Sequence, residues 1–121
     1  MVLGVTKMMT LVAAMMLSMV AQKADPLNTA RKAYNNCMIE THNKGVTDKA
    51  SPSDFLKTAE SACTAERSAY HAMLVRAERG YGSSQKDAEQ FANEELQMMV
   101  DGIVSAFNEN AENGAKLSPE K

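Results

Sequence analysis

The sequence predicts an all-α protein, a three-helix antiparallel bundle after an N-terminal signal helix. Apolar residues recur at three- and four-residue spacing along three separate stretches, and each stretch opens on a helix-capping residue. No run alternates apolar and polar residues in the manner of a strand. With 121 residues, a formal charge of -2 and no tryptophan, the chain is bounded to one small domain. It lacks the basic balance of a nucleic-acid binder.

Residues 1–21 carry Lys7, then an uncharged run from Met8 to Ala21, then polar Gln22 and Lys23, the pattern of a secretory signal peptide. The run is too short to span a bilayer comfortably, so membrane contact is expected only if this segment stays uncleaved as an anchor. Ala21 is the favoured cleavage point, with Ala24 as the other option. Of the chain's methionines, Met1, Met8, Met9, Met15, Met16 and Met19 fall in this segment, which removes the appearance of a metal-handling composition. Met38, Met73, Met98 and Met99 remain and read as core filler and surface. A periplasmic or secreted location follows, and the absence of any Asn-x-Ser/Thr site fits the bacterial periplasm.

The folded part is expected over residues 22–114. Asp25 and Pro26 supply an N-cap with proline at the first helical position. Leu27, Ala30, Tyr34, Cys37, Met38 and Thr41 form one face of the first helix, and His42, Asn43, Lys44 and Gly45 read as its stop. Ser51, Pro52 and Asp54 start a second helix before Phe55 and Leu56. That helix continues through Ala59, Ala62, Cys63, Glu66, Tyr70, Met73, Leu74 and Ala77, with Arg76 and Arg79 in its last turn before Gly80.

Ser83 or Ser84 caps a third helix over about 85–112, with Asp87 at capping-box distance from Ser84. Its stripe is Ala88, Ala92, Leu96, Met99, Ile103, Ala106 and Phe107, widened by Phe91 and Val100, with Met98 pointing away. The opposite face carries Asp87, Glu89, Glu94, Asp101, Glu109 and Glu112 against Lys86 alone. Such a face is ordinarily solvated surface; the alternative is a docking site for a basic partner. Asn113 and Gly114 end the helix, and 115–121 is expected to be a frayed, disordered tail.

Cys37 lies eight residues before Gly45 and Cys63 twelve after Ser51, so an antiparallel hairpin brings them to comparable heights, with a mismatch of roughly 6 Å. An even cysteine count in an oxidising compartment favours a disulfide. Redox enzymes place two cysteines close in sequence near a helix start, whereas these are read as mid-helix and 26 positions apart.

Other candidate sites are thin. Glu66, Arg67, Tyr70 and His71 cluster on a turn and a half of helix, which allows general acid–base chemistry but supplies no nucleophile beside a base. The blander reading buries Tyr70 beside the disulfide with its hydroxyl bonded to Glu66. His42 and His71 are the only histidines, and no His-x-x-x-His, Cys-x-x-Cys or Glu-x-x-His spacing suggests a metal. His42 is explained by the dipole at a helix end. No glycine-rich phosphate loop is present, and no cofactor is expected.

Tyr34, Cys37, Pro52, Cys63, Glu66, Arg67 and Tyr70 form a Tyr-x-x-Cys … Cys-x-x-Glu-Arg pattern over about 34–82. The pattern resembles small helical periplasmic proteins of Gram-negative bacteria, and the resemblance implies compartment and fold but no activity. The functional expectation is a non-enzymatic binding or interaction protein, its partner another envelope protein or a second copy of the chain. The alternative is an inhibitor or stress-response chaperone acting through the acidic face of the third helix. An enzyme would have to use Glu66, Arg67 and His71. An exposed patch at Val100, Val104 and Phe107 would favour a homodimer, and its burial would count against one.

Overall fold

The computed structural model describes residues 25–121, and the expected signal segment, residues 1–21, lies outside them. The described residues form helices α1 (Pro26–Thr47), α2 (Pro52–Ser61), α3 (Thr64–Gly80) and α4 (Gln85–Asn110), with no strand. The fold is therefore all-α, but with four helices among these residues where three are expected. None of the four is long and apolar enough to cross a membrane.

The caps fall where the sequence places them. Asp25 accepts from Leu27 N–H, Ser51 from Asp54 N–H and Ser84 from Asp87 N–H, each satisfying a donor that the first turn leaves free. The far end of α1 differs. Instead of stopping at His42–Gly45, the helix runs through them to Thr47 and turns on Lys49, which has φ 54°. Gly45 has a packing role, not a stop role: a Cβ there would lie 2.9 Å from Phe55 Cδ2 and 3.1 Å from Phe107 Cε2. The missing side chain lets two aromatic rings close on the helix backbone.

The expected second helix is broken. Ala62 is extended and Cys63 is left-handed (φ 60°, ψ 41°), so α2 ends and α3 begins on a new axis. The added length of α1 and the start of α2 at Pro52 together remove most of the expected height mismatch. Cys37 stands ten residues before Thr47 and Cys63 eleven after Pro52, about 1.5 Å apart in helical rise. The Cα atoms are 6.0 Å apart and the disulfide forms between them. Cys63 thus occupies the N-cap position of α3, without a side-chain cap bond, and is not mid-helix.

The core runs from Tyr34, Met38 and Leu74 through Leu96 and Val100 to a stacked pair, Phe55 and Phe107, with ring centroids 4.0 Å apart. Of α4's expected stripe, Ala88, Ala92, Leu96, Val100, Ile103 and Phe107 are buried, while Met98 is 65% exposed. Phe91, placed on the edge of that stripe, is exposed. Val100 and Phe107 are fully buried and Val104 half-buried, which counts against a homodimer through that patch.

The expected frayed tail differs most. Residues 115–121 lie along α1, held by side chains of that helix. Gly114, at φ +73°, lets the chain reverse after α4, a conformation open to glycine without a Cβ penalty.

Candidate peptide-binding face

Helix α1 presents Arg31, Lys32, Asn35, Asn36 and Asn43 to segment 115–121. Two of these side chains each pair with both the N–H and the C=O of one residue. Asn43 Nδ2 donates to the Leu117 carbonyl at 2.9 Å, and its Oδ1 accepts from Leu117 N–H at 2.9 Å. Asn36 repeats the arrangement on Glu120, donating to its carbonyl at 3.0 Å and accepting from its N–H at 2.8 Å.

The repeat has a geometric cause. Asn36 and Asn43 are seven residues apart, about two helical turns, or roughly 10.5 Å. Leu117 and Glu120 are three residues apart, and extended or polyproline-like chain rises about 3.1 to 3.4 Å per residue, giving roughly 9 to 10 Å. The two ladders therefore match, with the segment antiparallel to α1. Pro119 supports this by biasing Ser118 towards extended backbone.

A second set of contacts reads a side chain. Arg31 donates from Nη1 to Glu120 Oε2 and from Nη2 to Oε1, both at 2.9 Å, a bidentate pair about one-third exposed on each side. Asn35 Nδ2 adds a bond to Oε2 at 2.7 Å, and Asn28 Oδ1 accepts from Arg31 and orients it. The guanidinium and the Asn35 amide hold the Glu120 carboxyl below its ordinary pKa, and the carboxylate in turn raises Arg31. Lys32 donates to the Lys121 carbonyl.

The row is anchored in the core through His42, which is fully buried rather than standing at an exposed helix end. The main chain of Leu117 fixes which way the Asn43 amide faces, so His42 Nδ1 must donate to Asn43 Oδ1, at 2.8 Å. In the neutral ring Nε2 then accepts from Asn110 Nδ2, at 3.3 Å. Phe55 and Phe107 meet the imidazole edge-on at 6.4 and 6.2 Å, so it cannot turn without moving the stacked pair. Leu117 is half-buried against the same core.

The sequence-derived cluster does not converge. Glu66 lies beside the disulfide, its carboxylate within 4.8 Å of both sulfurs; those sulfurs are bonded to each other and offer no thiolate to a metal. Arg67 donates back across the helix break to the Glu60 carbonyl at 3.3 Å. Tyr70 is buried, and that burial raises its pKa, with Glu95 adding to the rise and Arg31 opposing it; its hydroxyl is not bonded to Glu66. His71 is half-buried. Tyr34, 6.4 Å from Tyr70 ring to ring, has a buried hydroxyl without a hydrogen-bond partner among the described residues. Burial raises its pKa, opposed by the nearby Arg67 guanidinium, which stands outside bonding geometry.

On α4, Glu89, Glu94 and Asp101 accept from Gln85, Gln90 and Gln97 one turn earlier. Their bonding is local, as on a solvated face. A concavity of about 900 Å³ between the α1–α2 turn and the end of α4 is lined chiefly by small and apolar groups, with Lys49 and Glu112 the charged ones.

Arg31, Asn35, Asn36 and Asn43 are the residues that reading the sequence misses. Their signal is the seven-residue spacing of two amides on one helix. Comparison with protein-family models gives no match, and neither the curated proteins nor the solved structures yield one.

Proposed function

We propose that the protein is a small secreted or periplasmic binding protein without catalytic chemistry, and that its working surface is the polar face of α1. One observation carries the reading. Asn36 and Asn43 each take both the N–H and the C=O of one residue, at a spacing matched to extended chain. Pairing main-chain groups in this way is how proteins hold a polypeptide independently of most of its side chains, as in strand addition to a sheet edge. The disulfide supports the compartment, because such bonds persist in oxidising surroundings. It also supports the role, because it fixes α1 against α3 and keeps the row rigid without a large core.

The test is site-specific photocrosslinking in the native compartment, with the crosslinking residue placed at Lys32 or at Glu94. Partner adducts from Lys32 and none from Glu94 are the expected outcome. Adducts from Glu94 alone would move the interaction to the acidic face of α4 and support the inhibitor or chaperone reading instead.

A further inference from the structure

We infer that the face of α1 selects an extended segment of another polypeptide carrying an apolar residue followed three positions later by a glutamate, and that residues 115–121 are the resident occupant which such a segment displaces. The inference rests on the reading of α1 as a binding face and adds what it selects and how it is gated.

Selectivity follows from which positions are touched beyond the main chain. Leu117 is half-buried against the core, and the Glu120 carboxylate receives donors from Arg31 and Asn35. Ser118 and Pro119 between them are exposed. The recognised pattern is therefore apolar-x-x-Glu, read antiparallel to α1. Arg31 and Lys32 stand together at the glutamate end, so an acidic residue is matched by charge as well as by hydrogen bonds.

Gating follows from how the resident segment is attached. It is joined to α4 through the turn at 111–114, and its bonds to α1 are part-buried rather than sealed from water. Each such bond contributes modestly, because water replaces it on release. The tether gives the segment an effective concentration on the order of millimolar, which a weak competitor cannot overcome. An incoming segment that also reaches the part of α1 before Arg31, where Asn28 stands exposed, gains contacts beyond those made by residues 115–121. The resident segment thus filters weak ligands rather than closing the face.

The test uses the full chain and a capped, fluorescent Ala-Lys-Leu-Ser-Pro-Glu-Lys peptide, the sequence of 115–121. The double substitution Leu117→Ser with Glu120→Gln weakens the resident segment and leaves the helices and disulfide in place. The peptide is expected to bind this variant on the order of tenfold tighter than it binds the unsubstituted chain. Replacing the peptide's glutamate by glutamine should weaken binding by a similar factor, while replacing its serine should not.

Equal binding of the glutamate and glutamine peptides would overturn the selectivity and leave α1 standing as a binding face. If no peptide binds although the amide resonances of residues 117 and 120 show release, both readings fall and 115–121 is a structural strap. The same peptide at millimolar concentration on the unsubstituted chain provides a second route: the Leu117 and Glu120 resonances should move to their released positions. A species of twice the mass with 115–121 exchanged between copies would put a second copy on the face and overturn the separate partner.

Discussion

Gly45 and Phe55 are in contact so close that a Cβ on the glycine would stand 2.9 Å from the ring's Cδ2. Phe55 in turn stacks on Phe107 at 4.0 Å, so the ring has nowhere to retreat. Two effects compete in Gly45→Ala. Alanine favours a helix interior over glycine by about 1 kcal/mol, whereas forcing a methyl into a filled core costs about 1 to 3 kcal/mol. The second is expected to win, and denaturant unfolding should show a net loss. A gain would mean that the α1–α2 contact is looser than the structure has it.

Loss of the disulfide should act on the whole fold. The cysteines are 26 positions apart, and closing a loop of that size stabilises by about 3.5 kcal/mol on the chain-entropy account. Cys63→Ser is expected to lower unfolding free energy by about 2 to 5 kcal/mol. The left-handed backbone at Cys63, held by the bond, is expected to relax and let α2 and α3 drift towards one continuous helix. A melting temperature unchanged under oxidising conditions would sink this.

Tyr34→Phe should be neutral or stabilise by roughly 1 kcal/mol, because it removes a buried hydroxyl of little volume that has no hydrogen-bond partner among the described residues. The ring contact with Tyr70 is retained. A loss of stability would show that Arg67 does bond the hydroxyl in solution.

The grip on Glu120 should depend on pH. Arg31 and Asn35 hold its carboxyl below its ordinary value, so the free segment binds more protons than the bound one over the intervening range. The contribution is therefore complete above the ordinary carboxylate range and is lost as pH falls through the lowered value. Amide resonances of Leu117 and Glu120, followed from about pH 7 to about pH 3, should shift to released positions while helicity persists. Resonances that stay fixed throughout would show that the carboxylate does not hold the segment.

Much of the fold is legible in local chemistry. Asp25, Ser51 and Ser84 act on amides two or three residues away, so each cap can be read without knowing the rest of the molecule. The α4 stripe is equally local, and its period separates buried Ile103 from exposed Met98. The candidate site is not local. Asn43 and Gly45 look like a helix stop because their types favour one, and only contacts with Leu117 and Phe55 give them other roles.

The sequence by itself determined the helical class, the starts of α1, α2 and α4 and the core face of α4, because capping and periodicity act within a few residues, while the even cysteine count pointed to the pairing. Only the tertiary structure decided that the second helix breaks at Cys63, that His42 is buried, and that 115–121 lies on α1. Those outcomes depend on atoms distant in sequence: a sulfur 26 positions away, two aromatic rings from other helices, and a row of amides whose partners lie more than seventy residues along the chain. Local propensity has no access to such contacts, and where they conflict with it the packed arrangement prevails.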